Sequence, residues 1–375
     1  MLEELNIYTQ VVNEETPWLL PLCFAMFGAC VGSFLNVVIY RLPRGLSVNE
    51  PSRSFCPNCR AEIPWYLNIP IGSWVMLRGR SACCNTPISI RYWLVEVATA
   101  LLFACIAWHF APEPLPTQIM LYIWAAAMLA VFCIDLEQMV VLPRLTWTAA
   151  AAGLLATLFA PWLVEPQSIS ATDGLIWSLC GALCGYLLLK LVALCGRLCF
   201  GRKNREYDSP QTWSLRQAGD DIELSIGEER YLWSELFREE ANRVLLRNAT
   251  LSTTPDAVPG DICFSVESAT LADGTCLLLE EHDSLGGTCT GLRTRQEAMG
   301  SGDAYIALAI GAVCGWQGVL FSLVAGSFLG LAQAAVARVR RGQPMPFGPA
   351  LIGGALIYLF VGNLLTRYYF SYLGY

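Results

Sequence analysis

Long apolar stretches alternate with short polar segments along most of the chain. Eight stretches are predicted to be helices that cross a bilayer, and they cover residues 18–40, 92–110, 119–141, 145–164, 174–198, 305–315, 318–336 and 347–369. Crossing the hydrocarbon core takes about 20 apolar residues, and lipid forces such a stretch to be helical because its backbone groups must be satisfied internally. The sixth stretch is short, so the sixth and seventh are also compatible with one bent or re-entrant unit.

The apolar pattern is interrupted between residues 201 and 299, where the composition becomes that of a water-soluble domain. Residues 233–246 have a mixed apolar and charged pattern that is typical of a helix. Two strand-like segments, 262–271 and 275–281, flank Asp273-Gly274, which predicts a hairpin turn there. These features predict a small cytoplasmic α+β insert. Its excess of acidic residues is interpreted as a solvent-exposed surface.

The pattern as a whole predicts an all-α polytopic membrane protein with about eight transmembrane helices, a cytoplasmic cysteine loop and the α+β insert. Five parts follow along the chain. They are an N-terminal segment with the first helix (1–42), the cysteine loop (43–91), helices two to five (92–200), the insert (201–299) and helices six to eight (300–375).

Composition supports the membrane assignment. Hydrophobic residues make up 55% of the chain and charged residues only 15%, against about 25% charged in soluble proteins. No basic run indicates nucleic acid as a partner, and the acidic first residues lack the basic region of a cleavable signal peptide.

The basic residues fall in alternate loops. They follow the first, third, fifth and seventh stretches, whereas residues 111–118 and 165–173 contain no Lys or Arg. Because Lys and Arg in short loops stay on the cytoplasmic side, the N-terminus is predicted to face outward and the cysteine loop and insert to face the cytoplasm.

Two aspartates interrupt the apolar stretches at the same predicted depth. Asp135 lies near the cytoplasmic end of the third stretch, and Asp303 lies at the start of the sixth. Ionisable groups inside lipid are costly, so each is a candidate functional residue. Two carboxylates that share a site cannot both ionise easily, which provides one base and one acid for hydrolysis. Gly300 and Gly302 are expected to let a substrate backbone approach Asp303.

Other functions fit the same two carboxylates. Asp303 is also suited to cap a helix N-terminus, and Asp135 to lie at the membrane interface. A proton-coupled transporter that uses Asp135 and Asp303 as a relay is a further alternative.

Four cysteines cluster in the polar loop after the first stretch. Cys56 and Cys59 form a C-x2-C pair, and Cys83 and Cys84 follow after a gap of 23 residues. Two pairs of thiols suit a tetrahedral structural zinc. The alternative is that the loop packs without metal and Cys83 remains a free thiol. Cysteines within the apolar stretches are expected to be small buried hydrophobic residues.

Several local motifs resemble those of the type IV prepilin peptidase family, over about residues 18–198 and 297–370. The motifs are Gly32-Ser33-Phe34-Leu35-Asn36, Arg41-Leu42-Pro43, Cys56-Pro-Asn-Cys59, Pro64-Trp65-Tyr66, Asn68-Ile69-Pro70, Arg78-Gly79-Arg80, Pro87-Ile88-Ser89-Ile90-Arg91-Tyr92, Leu94-Val95-Glu96, Gly300-Ser301-Gly302-Asp303 and Pro346-Phe347-Gly348-Pro349.

The resemblance implies a membrane aspartic endopeptidase of the bacterial inner membrane. Its substrates would be type IV prepilins or the pseudopilins of type II secretion, cut after a glycine on the cytoplasmic side. Asp135 and Asp303 match the family's two catalytic aspartates. Many members also methylate the new amino terminus with S-adenosylmethionine, and zinc on the cysteine loop is associated with those members.

The chain departs from the family pattern at four points. Ser81 stands where the third cysteine is usual, Tyr305 stands where lysine is usual, Leu142-Pro143 is not followed by aspartate, and the insert is long. A catalytically inactive member that acts as an assembly or binding protein is therefore a second alternative.

Overall fold

The computed structural model describes the chain except for residues 1–8, 10, 51–54, 57, 166–169, 201, 219–220, 238–242, 253–258, 280–283, 296–299, 301, 339–344 and 373–375. Two compact units divide the chain. The first combines Met1–Leu189 with Gly302–Tyr375, and the second is Lys190–Ser301.

Helices form nearly all of the first unit. Among the described residues after residue 18, the α-helices of both units are α1 (Leu19–Arg41), α2 (Gly72–Met76), α3 (Ile90–His109), α4 (Leu115–Gln138), α5 (Pro143–Phe159), α6 (Ala171–Phe200), α7 (Trp233–Leu236, in the second unit), α8 (Gly302–Val336) and α9 (Gly348–Tyr372).

Five helical segments in the described part of the chain are long and apolar enough to cross a membrane. They are Leu19–Arg44, Ile90–His109, Leu115–Gln138, Ala171–Gly196 and Gly302–Val336, with Gly348–Gly362 as a shorter apolar helix. The predicted number of about eight spans is not confirmed by length and composition. Helix α5 has only 17 residues, and the predicted sixth and seventh spans lie in the single element α8.

Helix α8 reverses its direction at Gly315, where the backbone is non-helical with a φ of 64°. A Cβ atom placed on Gly185 of α6 would lie 2.9 Å from the Ala307 carbonyl carbon and 3.1 Å from Val319 Cγ2. A straight helix would separate residues 307 and 319 by about 18 Å. The two halves of α8 therefore fold back beside each other, and glycine readily adopts the positive φ at the bend.

Small residues let the apolar helices approach closely. A Cβ on Gly32 of α1 would lie 2.7 Å from the Glu96 Cα of α3, and a Cβ on Gly153 of α5 would lie 2.7 Å from Val313 Cγ2 of α8. Such contacts replace the hydrophobic driving force, which is weak between helices in lipid. Close backbone approach thus fixes which helices are neighbours.

An eight-stranded antiparallel sheet makes up most of the second unit. Its strands are β1 (Arg202–Ala218), β2 (Asp221–Ile226), β3 (Glu229–Leu232), β4 (Arg243–Ala249), β5 (Gly260–Phe264), β6 (Ser268–Thr270), β7 (Cys276–Leu278) and β8 (Ser284–Arg295). The strand order is β3-β2-β1-β8-β4-β5-β6-β7, and the core includes Trp213, Leu246 and Phe264.

The sheet tests the prediction of an α+β insert in this region. The helix predicted over 233–246 is wrong beyond α7, because residues 243–246 belong to strand β4. Residues 238–242 lie outside the described part. The predicted hairpin is confirmed, since β6 pairs with β7 and Gly274 has a φ of 86° in the turn.

Candidate active site and cysteine cluster

Asp135 lies in the last turn of α4 and is only 4% exposed. Met139 ends the helix with a left-handed φ of 55°, and its backbone N–H donates to the Asp135 carbonyl. One carboxylate oxygen, Oδ2, is buried without a hydrogen bond of ordinary geometry, although the backbone N–H of Gly348 interacts with the carboxylate. Because buried polar atoms are normally paired, this oxygen needs a proton, a water molecule or a ligand.

Asp303 lies in the first turn of α8, and its carboxylate interacts electrostatically with that of Asp135. The structure therefore brings the two predicted aspartates together at one end of the helices. Gly302 does not leave open space for a substrate, because a Cβ there would lie 2.6 Å from Val141 Cβ. Gly300 is exposed.

Gly348, the first residue of α9, completes the wall around Asp135. A Cβ on this residue would collide with the Asp135 carboxylate and would lie 2.7 Å from Ile306 Cδ1. The sequence alone indicates no role for Gly348. The only available signal was its position in the Pro346-Phe347-Gly348-Pro349 motif, since glycine has no side chain that indicates chemistry.

Glu137 points away from the aspartates, as its spacing from Asp135 indicates. It forms an ion pair with Arg91, whose Nη1 lies 2.6 Å from Glu137 Oε2. This pair joins the start of α3 to the end of α4. Arg91 thus neutralises the Glu137 carboxylate.

Tyr305, at the position where the family resemblance implies lysine, occupies an aromatic environment. Its ring lies 5.5 Å from that of Tyr186 and 6.4 Å from that of Trp147. The side chain therefore belongs to the packing between α5, α6 and α8.

Polar residues of α1 hydrogen-bond to α3 and hold the two helices together. Asn36 Nδ2 donates to the Tyr92 carbonyl at 3.0 Å, and Ser33 hydrogen-bonds to Glu96. Glu96 Oε2 also accepts a 2.6 Å hydrogen bond from the backbone N–H of Ile71.

The cysteine loop gathers the four predicted metal ligands. The sulfur atoms of Cys56, Cys59, Cys83 and Cys84 all lie within 4.8 Å of one another. The Cys59–Cys83 and Cys56–Cys84 distances are 3.2 Å and 3.6 Å. Tetrahedral zinc with bonds of about 2.3 Å separates its sulfurs by roughly 3.8 Å. This cluster can therefore bind a metal ion.

Two similar turns build the cluster. In the first, Cys56 N donates to Ala61 O and Arg60 N to Cys56 O; in the second, Ser81 N donates to Thr86 O and Asn85 N to Ser81 O. Ser81 thus occupies the position that corresponds to Cys56. Cys83, inside the second turn, supplies the fourth sulfur.

Neighbouring groups give the thiols different acidities. Hydrogen bonds, first with the Ser81 hydroxyl and then with Thr86 and Asn58, lower the pKa of Cys84 to about 5. A backbone hydrogen bond at Ala61 lowers the pKa of Cys59, but Cys83 and burial outweigh it and raise that pKa to about 12. A metal ion binds cysteine as thiolate, so metal binding to the cluster would release protons.

Two family models match the chain. The Bacterial Peptidase A24 N-terminal domain matches residues 26–110, and the Type IV leader peptidase family matches residues 265–335. The first range contains the cysteine cluster and the second contains Asp303, whereas Asp135 lies between them.

Curated relatives extend the similarity over nearly the whole chain. A prepilin leader peptidase/N-methyltransferase of Aeromonas hydrophila is 28% identical over 95% of each chain. The protein of the same name from Klebsiella pneumoniae is 36% identical over 48% of this chain and 76% of its own. No solved structure matches the chain.

Proposed function

The chain belongs to the prepilin leader peptidase/N-methyltransferase family, and on this basis we propose that it cleaves the leader peptide of type IV prepilins or pseudopilins with Asp135 and Asp303 as its catalytic pair. Cleavage would take place on the cytoplasmic side of the bacterial inner membrane.

The observation that carries the proposal is the meeting of two acids inside an apolar helical unit. Asp135 and Asp303 interact across α4 and α8, and Asp135 Oδ2 is buried without a hydrogen bond of ordinary geometry. Apolar burial and mutual repulsion both oppose double ionisation, so the pair would hold one shared proton. This is the charge state that an aspartic peptidase needs.

In the proposed reaction, the ionised carboxylate accepts a proton from a water molecule that attacks the scissile carbonyl carbon. The protonated carboxyl donates a hydrogen bond to the carbonyl oxygen and then a proton to the leaving amine. Gly348 lets α9 lie against Asp135, which fixes the carboxylate and excludes water from that side.

The basic residues support a cytoplasmic site. Arg41 ends α1, Arg91 lies in the first turn of α3, and Arg144 lies in the first turn of α5. Helix direction places these ends on the same side as Asp135, at the end of α4. Lys and Arg favour the cytoplasmic side, where the basic leader of a prepilin would also remain.

We extend the proposal to methylation of the new amino terminus, with S-adenosylmethionine as the methyl donor. The name of the Aeromonas hydrophila relative includes this activity. Cys56, Cys59, Cys83 and Cys84 would hold a structural zinc, because four thiol ligands suit a closed tetrahedral site. The ion would order the loop, and none of the described residues is assigned to the methyl donor.

Cleavage of a prepilin in vesicles tests the proposal. Purified protein is reconstituted with a prepilin, and the product is identified by mass spectrometry. Asp135→Asn and Asp303→Asn are each expected to slow cleavage by at least about a thousandfold, because each removes a proton-transfer group. Asp173→Asn is the matched control, since Asp173 is an exposed acid in the first turn of α6.

Three results would contradict the proposal. Full cleavage by either Asn variant would remove the aspartates from the mechanism. Failure of the unmodified protein to cut cognate prepilins would support the alternative that the chain is a catalytically inactive family member with an assembly or binding role. Proton flux into the vesicles that requires both aspartates, without cleavage, would support the transporter.

A further inference from the structure

A segment of the cysteine loop, residues 69–80, exposes an unusual amount of apolar surface. Ile69, Val75 and Met76 are 51%, 55% and 79% exposed. Arg78 and Arg80 follow immediately and are also exposed. In a loop surrounded by water on all sides, such a cluster of large apolar side chains would be unfavourable.

The depth of this segment is set by its contact with α3. The Ile71 backbone N–H donates to Glu96, which lies six residues after the start of α3, or about 9 Å along the helix axis. Glu96 also packs against Gly32, nine residues before the end of α1, or about 13 Å from that end. Ile71 therefore lies beside the membrane-spanning helices, well inside their ends.

The segment then rises toward the start of α3. Trp74 Nε1 donates to the Ile88 carbonyl, and the Trp74 ring lies 5.9 Å from that of Trp93. Ile88 N donates to the Gly79 carbonyl at 2.7 Å. Arg78 and Arg80, on either side of Gly79, thus lie level with the residues that precede α3.

The backbone of the segment is largely satisfied without water. Gly72 N donates to Pro70 O, Ser73 N to Ile69 O, Leu77 N to Ser73 O, and Gly79 N to Trp74 O, while the Ile71 amide is bound by Glu96. Backbone that enters the interfacial region of a bilayer must meet this condition. Most of these backbone hydrogen bonds form locally, within or next to the short helix α2.

We propose that residues 69–80 form an interfacial segment that dips into the leaflet on the Asp135 side. Ile69, Val75 and Met76 contact the boundary between headgroups and acyl chains, and Arg78 and Arg80 bind lipid phosphate groups. The occupant of this surface is the bilayer, because the hydrogen bond between Ile71 and Glu96 holds the segment beside α3, a helix that itself exposes Ile90, Leu94 and Leu101.

Photocrosslinking to lipid tests this proposal without reference to activity. The photoreactive amino acid p-benzoylphenylalanine replaces Val75 or Met76 in the full chain, which is reconstituted in phosphatidylethanolamine–phosphatidylglycerol vesicles that contain a clickable phospholipid. Leu101 in α3 is the lipid-facing control, at 61% exposed, and Leu278 in β7 is the control outside the spans, at 49% exposed.

Lipid adducts at positions 75 and 76 are expected to reach at least half the yield at position 101 and at least fivefold the yield at position 278. Yields at both positions as low as at position 278 would overturn the proposal. So would adducts mainly with a second copy of this chain or, after addition of a prepilin, mainly with the prepilin. Normal yields at position 101 verify insertion, so misfolding cannot explain a negative result.

Discussion

The aspartate pair and the cysteine cluster are built in opposite ways. Asp135, Asp303 and Gly348 come from three helices and are separated by up to 213 residues in sequence. The four cysteines lie between residues 56 and 84 and are joined by two local turns. One site exists only when distant helices pack, whereas the other requires only its own loop.

The surroundings of the two sites also differ, in burial and in polarity. Apolar residues and close backbone contacts enclose Asp135, which is 4% exposed. The cysteine cluster is partly open, and hydroxyl and amide groups of Ser81, Asn58 and Thr86 surround Cys84. The difference teaches that the two sites should be separable by mutation, with packing changes acting on one and ligand changes on the other.

The largest effect is expected for the aspartates, where the test concerns how the two act together. Asp135→Asn combined with Asp303→Asn should be no slower in prepilin cleavage than either single variant, because both groups serve one step. Zinc content should remain that of the unmodified protein. Independent losses that multiply in the double variant would show that the residues do not form a pair.

Gly348→Ala should reduce cleavage next most strongly, by about 100-fold, since a displaced reacting group can cost that much. The added methyl group would collide with the Asp135 carboxylate. Gly353→Ala is the control on the same helix, because its Cβ would meet only the flexible end of Leu329. Equal cleavage rates for the two variants would show that the contact does not position Asp135.

Replacement of a metal ligand should separate the activities. Cys83→Ser is expected to lower the zinc content from about one ion per chain to below about 0.2, because a closed site needs its fourth ligand. Cleavage should stay within about twofold. Elemental analysis and the cleavage assay measure the two quantities, and Cys105→Ser in α3 is the control.

Unchanged zinc in the Cys83→Ser protein would remove Cys83 from the site. Loss of cleavage together with zinc, in protein that is inserted normally, would show that the sites are not separable.

The smallest effect on both sites is expected from removal of the insert. When a flexible linker replaces residues 204–294, cleavage should stay within about threefold, because loop length changes closure free energy only slightly. The sheet has its own hydrophobic core. Complete loss of cleavage in a membrane-inserted variant would show that the insert contributes to the aspartate site.

The sequence was sufficient to find the residues that carry charge or sulfur. Asp135 and Asp303 stood out because they interrupt apolar stretches, and the family resemblance is confirmed by the curated relatives. Their assignment as a catalytic pair remains a proposal. The four cysteines were grouped by spacing, although the geometry that lets Cys83 join them depends on a turn in which Asn85 has a positive φ.

Features that depend on shape were not predictable in the same way. Gly348 matters because it has no side chain and so leaves room for the Asp135 carboxylate. A pattern of side chains in the sequence does not reveal such a role. Residues 243–246 mix apolar and charged positions, a pattern that also suits a strand with one buried face, and pairing with β5 and β8 decided the outcome. The ion pair between Arg91 and Glu137 joins residues 46 apart and follows from helix packing.

Gly315 connects the aspartate site to the far side of the membrane. Without the reversal there, α8 would continue in one direction for its 35 residues, about 52 Å, and Gly348 would start α9 on the side opposite Asp135. The wall around Asp135 therefore depends on a residue about 18 Å from Asp303 along the helix. Substitutions at Gly315 would act as remote loss-of-function changes, which inspection of the residues around the carboxylates would not reveal.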